Sequence, residues 1–129
     1  MTPCSLSSGI VEEANINRSP TSYLENPEEE KALYDADTDK QMTQLNFFSA
    51  AGEPLGVLNW FAVHPTSMNN TNHLISGDNK GAASQMFEKA MNPNYPSGLG
   101  PFVAAFASTN LGDVSPNIKV ISQNQICDD

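Results

Sequence analysis

The chain has 129 residues, within the usual size of one domain, and its 15 acidic against 6 basic side chains give a net charge of -9. That balance repels a phosphate backbone and argues against nucleic acid as a partner. The longest purely apolar run, Phe102 to Ala107, is far short of the roughly 18 residues that cross a bilayer.

Residues 1–40 are polar, with few apolar positions, and read as surface. Met1 to Gly9 has neither a basic leader nor an apolar stretch, so no signal peptide is read there. Asn26-Pro27-Glu28-Glu29 has the pattern of a helix cap, a proline at the first helical position and a capping glutamate, which predicts a short helix running to about Tyr34. The acids from Glu28 to Glu30 suit the helix dipole and a solvated face. Gln41 to Ser49 alternates, with Thr43, Leu45 and Phe47 on one side; Ala51 to Pro54 supplies a turn and Leu55 to Val63 resumes an apolar run, which predicts a β-hairpin.

After a polar loop, Ser76 is placed to cap a helix with Asp78 in its first turn. Ala82, Ala83, Met86, Phe87, Ala90 and Met91 recur at helical spacing, and Pro93 ends the element. Ser76-Gly77-Asp78-Asn79-Lys80-Gly81 lacks the lysine spacing of a phosphate loop and is read as a helix start. A connector from Asn92 to Gly100 leads into Phe102 to Ala107, which has the composition of a strand buried on both faces. The expected fold class is α+β, a layered sheet-and-helix arrangement whose sheet takes further strands from outside residues 1–129.

Two polar clusters follow the two most apolar strands: His64 to Asn70, and Asn110 to Asn117. Both fall at carboxyl ends of strands, the edge that commonly holds ligands because rigid strands position accessible loops. His64 suits a zinc ligand and equally a hydrogen-bonded strand-end residue; His73, in a polar loop, reads as solvated or as a support to a ligand. There is no His-x-x-x-His and no cysteine pair, so a zinc site must recruit ligands from elsewhere. Ser115, in Gly-Asp-Val-Ser-Pro-Asn, is not in a Gly-x-Ser-x-Gly elbow and is either a turn serine or a nucleophile needing a base such as His64, His73 or Asp113. Arg18 is either a surface ion-pair partner or a guanidinium that steadies an oxyanion. Cys4 and Cys127 are two free thiols, cysteines whose partners lie outside this sequence, or one long-range bridge. Asn69-Asn70-Thr71 fits a glycosylation sequon, while Asn17-Arg18-Ser19 is followed by Pro20, which usually blocks use.

Taken together and in order, Asn15 to Pro27, Trp60 to Asn72, Ser76 to Gly81 and Pro101 to Asn117 resemble consecutive blocks of the neutral, non-lysosomal ceramidases, from about Gly9 onwards. The resemblance implies a zinc-dependent N-acylsphingosine amidohydrolase that cleaves the amide of ceramide to sphingosine and a fatty acid. Residues 1–129 would be an internal part of its N-terminal catalytic domain. By that resemblance His64 matches one of four zinc ligands, two histidines, a glutamate and a tyrosine; Ser115 matches the serine usually taken as nucleophile; Arg18 matches an arginine that binds substrate. No role passes to His73.

The resemblance also implies a secreted or outward-facing protein working on ceramide at a membrane surface. Two routes stay open, attack by Ser115 through an acyl-enzyme or attack by a zinc-activated water that Ser115 helps to orient. With three of the four ligands missing, this polypeptide is expected neither to hold zinc tightly nor to turn over ceramide. Alternatives are another zinc amidase or esterase, or a lipid-binding remnant without catalysis. The stretch 118–129 is shorter than the family pattern and lacks the first of its two cysteines, as a gene-model error would produce.

Overall fold

The structure, a computed structural model, describes residues 3–116. Its centre is the expected hairpin: β3 (Gln41–Phe48) and β4 (Pro54–Trp60) run antiparallel with Leu45 opposite Leu58, and the register shifts between Phe47 and Phe48. Ser49 closes the turn, its hydroxyl accepting the amides of Ala51 (3.2 Å) and Glu53 (3.1 Å). From β4 the chain crosses through the expected helix α3 (Asp78–Met91) into β5 (Val103–Ala107), which lies parallel to β4 with Asn59 opposite Phe106. Helix α3 covers one face of this unit. Val57, Phe102 and Ala104 are buried there against Phe87 and Phe106, and the Phe87 and Phe102 rings stack with centroids 5.6 Å apart.

Both ends of α3 are fixed by side chains. The Ser76 hydroxyl accepts the Asp78 amide at 3.0 Å, next to Gly77 at the cap position. At the far end the Asn92 carboxamide imitates a strand, donating to the Phe102 carbonyl (2.9 Å) and accepting from its amide (3.1 Å).

The polar N-terminus is largely exposed, as expected, and its first part is a strand. Cys4–Ile10 forms β1, paired in register with β3 from Cys4 opposite Phe47 to Ile10 opposite Gln41, so the four-stranded sheet has the order β1-β3-β4-β5. Its small polar residues carry little strand propensity of their own, and β3 supplies the pairing that makes it a strand. Ile16–Asn17 forms β2, which pairs antiparallel with β6 (Val114–Ser115) as a separate two-stranded sheet.

The helix expected before Tyr34 is present but shorter, and a second, unexpected one precedes it. Pro20–Leu24 forms α1, entered through a turn in which Asn17 Oδ1 accepts the Ser19 amide at 2.7 Å. Glu28–Lys31 forms α2; Pro27 occupies its cap position, and no side chain caps it. The turn continues to Tyr34 only through tighter bonds, Leu33 amide to Glu30 and Tyr34 amide to Lys31.

Strand β5 is not buried on both faces, since Val103 is 58% exposed and Ala105 is also exposed. Both β1 and β5 are edge strands among the described residues. Among the described residues no helix is long and apolar enough to cross a membrane. Cys4 is exposed and makes no disulfide among the described residues; Cys127 and the segment 118–129 lie outside them. The architecture is α+β, as expected.

Candidate functional site

The two clusters after β4 and β5 meet. Beyond Trp60 the chain is buried through Phe61, Ala62 and Val63 and delivers a half-buried His64. Beyond Ala107 it turns at Leu111 to Val114, where the Val114 amide bonds the Leu111 carbonyl, and runs into β6. His64 Nδ1 then lies 2.6 Å from the Val114 carbonyl oxygen. A carbonyl only accepts, so Nδ1 carries a proton, and in the neutral ring this leaves the lone pair on Nε2, the form of imidazole that ligates a metal or takes a proton.

The same short segment gathers the other two candidates. Ser115 is 5% exposed and sits opposite Ile16 in the β2–β6 pair. The Arg18 amide donates to the Asp113 carbonyl at 2.7 Å, which places Arg18 beside the stretch that carries Ser115, with its own residue surface exposed. Arg18, His64 and Ser115, spread over 98 positions of sequence, are therefore arranged around Asp113-Val114-Ser115. His73 stays in an exposed loop, as expected. Among the described residues no three histidine, cysteine or carboxylate side chains cluster to hold a metal, so His64 offers one ligand.

Three consecutive residues at the start of α3 grip this region, and sequence reasoning gave none of them a part in it. The Asp78 carboxylate accepts the amides of Ser67 (2.9 Å) and Met68 (3.0 Å), while Asp78 itself holds a positive φ of 51°. Asn79 Nδ2 donates to the His64 carbonyl at 2.8 Å. Lys80 Nζ donates to the carbonyls of Phe61 and Ala107, both at 2.9 Å. Their one sequence signal is that polar residues open the helix directly after the His64 loop.

Partial burial raises the Asp78 pKa, but the amides of Ser67, Met68 and Asn79 outweigh it and hold the carboxyl below its ordinary value. Burial pushes the Lys80 ammonium below the usual lysine value. A depressed carboxylate contributes stability that is complete above its unfolded-state pKa and disappears as pH falls through the lower folded one. The Ser67 and Met68 amides should therefore stay protected from hydrogen exchange down to pH values at which an ordinary aspartate is protonated. In Asp78→Asn that protection should fall at least several-fold and lose its acid transition; equal protection in both proteins would remove Asp78 from the loop.

Asn15, 1% exposed, supports the site from beneath. Its Nδ2 donates to the carbonyls of Asp39 (2.9 Å) and Ala62, and its Oδ1 accepts from Thr38 Oγ1 (3.2 Å) and Lys40 Nζ (2.8 Å). A cleft of about 720 Å³ opens near these residues, lined among others by Ile10, Tyr23, Tyr34, Asp37 and Asn110. It contains none of Arg18, His64 and Ser115, and its rim of Glu12, Asp35, Asp37 and Asp39 makes a poor wall for an acyl chain.

The neutral ceramidase of Drosophila pseudoobscura pseudoobscura is 60% identical over 113 residues, which cover 88% of this chain and 16% of that protein. The neutral ceramidase of Pseudomonas aeruginosa is 49% identical over 88% of this chain and 16% of its own length. This chain thus spans about a sixth of the curated relatives it matches. Among solved structures, one described as a ceramidase complexed with C2 matches with a TM-score of 0.75 and 46% identity, covering 90% of this chain and 17% of that one. The crystal structure of the Pseudomonas aeruginosa neutral ceramidase matches with a TM-score of 0.77 and 43% identity, covering 99% of this chain and 19% of that one. The family profile described as neutral/alkaline non-lysosomal ceramidase, N-terminal, matches residues 2–129, and the chain belongs to that family.

Proposed function

We propose that this chain supplies one side of the active site of an N-acylsphingosine amidohydrolase, as part of an N-terminal catalytic domain. His64 is one zinc ligand, Ser115 the nucleophile or the group that orients the attacking water, and Arg18 a substrate-binding residue. The observation that carries the reading is the His64–Val114 hydrogen bond, which bares Nε2 and sets the ring one residue from Ser115. Bound zinc would polarise the amide carbonyl and lower the pKa of a coordinated water. The chain's own residues would do the rest. Val114 fixes the tautomer of His64, β2 holds Ser115 in place through Ile16, and the exposed Arg18 offers a guanidinium to a developing oxyanion or to the polar head of ceramide.

Among the described residues no three histidine, cysteine or carboxylate side chains gather to complete the site, so zinc should bind this polypeptide weakly and ceramide turnover should be negligible. Titrating zinc while following the ring nitrogens should move His64 Nε2 only at high metal concentration and leave His73 unmoved. Tight, stoichiometric binding would contradict the one-of-four assignment, and a response at Nδ1 would sink the ligand geometry. In a polypeptide that carries all four ligands, Ser115→Ala should lower kcat for ceramide by about a thousandfold or more; an unchanged kcat would remove Ser115 from the chemistry. Action at a membrane surface and passage through the secretory pathway belong to the same proposal. Support for the latter comes from the sequon: Asn69 is exposed in a turn where Thr71 Oγ1 lies 3.1 Å from Asn69 Oδ1.

A further inference from the structure

Lys80 is the one side chain at the start of α3 that reaches both strands from which the site loops depart. Its ammonium bonds Phe61 O, one residue past β4, and Ala107 O, the last residue of β5, and Ala107 O also accepts the Phe61 amide at 3.3 Å. Three residues beyond Phe61 stands His64; seven beyond Ala107 stands Val114, the acceptor of the His64 ring. The bond that fixes the histidine's tautomer therefore bridges the two segments that Lys80 joins at their roots.

A partly buried ammonium is costly to desolvate, and an apolar side chain of similar length would fill the same space at lower cost. What such a side chain lacks is a set of donors for two strand-end carbonyls on neighbouring parallel strands. Asn79 and Asp78 brace the outgoing loop, at His64 O and at the Ser67 and Met68 amides, but neither touches the β5 side.

We propose that Lys80 is a positioning residue for the site: by tying the carbonyls of Phe61 and Ala107 together it sets the spacing at which His64 meets Val114, and so keeps Nε2 of His64 bare and aimed for a ligand. The inference rests on the reading of His64 as a zinc ligand. Without the clamp the two segments separate, the Nδ1–H to carbonyl bond lengthens, and a solvated imidazole populates both tautomers.

The test is long-range proton–nitrogen NMR of the chain at pH about 8, where an ordinary imidazole is neutral, with circular dichroism as the check on folding. The wild type should hold His64 in the Nδ1–H form. Lys80→Met should raise the Nε2–H fraction at least fivefold; Lys80→Gln, which can reach one carbonyl at most, should fall between; Lys80→Arg, which keeps several donors, should stay near the wild type. A folded Lys80→Met protein with an unmoved tautomer would overturn the proposal. If that variant does not fold, a wild-type tautomer in Lys80→Gln would overturn it instead, and unfolding of both would make Lys80 a residue of the fold alone and likewise end the proposal. A wild type already in the Nε2–H form would sink the ligand reading itself, an outcome distinct from a pure Nδ1–H wild type that ignores position 80.

Discussion

Asn15→Ala should lower the stability of the chain by about 3–4 kcal/mol, from four hydrogen bonds lost at about 1 kcal/mol each. The carboxamide is nearly inaccessible and serves two donors and two acceptors at once, so truncation leaves polar groups buried without partners. Lys40 loses Oδ1 and keeps only the Asn15 carbonyl, at 2.8 Å. Asn15→Asp should rescue little, because a carboxylate keeps the acceptor for Lys40 and Thr38 but faces the carbonyls of Asp39 and Ala62 with no hydrogen to give. Urea unfolding at neutral pH measures both variants; a loss below about 1 kcal/mol for alanine would mean that the network is dispensable or that water replaces it.

Gly56→Ala should be the most damaging single methyl group in the sheet. A Cβ at this position would lie 2.5 Å from the Val103 carbonyl oxygen, and the obstacle is backbone of the paired parallel strand, which cannot rotate away. Strands β4 and β5 would have to part at the end where Val57, Phe102 and Ala104 pack. Overpacking of this kind costs about 3 kcal/mol or somewhat more. Gly9→Ala, with nothing within 4 Å of the added atom, is the control and should be tolerated. Near-equal melting temperatures for the two variants would show that the β4–β5 pairing relaxes at low cost.

The sequence showed the parts whose signals are local. Alternation at Thr43, Leu45 and Phe47 announced β3, the apolar spacing from Ala82 to Met91 announced α3, and Pro93 stopped it. What it concealed depends on partners far along the chain. Cys4–Ile10 has no pattern of its own and becomes a strand because β3 offers an unpaired edge. Val103 and Ala105 read as core because their run is wholly apolar, whereas α3 covers only the face that carries Ala104.

The candidate site follows the same division. His64, Arg18 and Ser115 could be chosen by likeness to a family, and their mutual approach needed coordinates. Lys80 and Asp78 looked like ordinary residues of a helix start, since nothing in their order reveals that they point back at the preceding loop. Asn15 is a polar residue inside a polar stretch, and only burial distinguishes it.

The pairing of Ile16–Asn17 with Val114–Ser115 closes nearly the whole described chain into a ring with a two-residue clasp. Loop-closure entropy makes a clasp of that span late to form, after the hairpin and the helix have shortened the path between its ends. Its four residues can also open without disturbing the larger sheet. Mild heating or low denaturant should therefore release position 115 from its strand partner while far-ultraviolet ellipticity is still intact, so the surroundings of that hydroxyl would loosen ahead of melting.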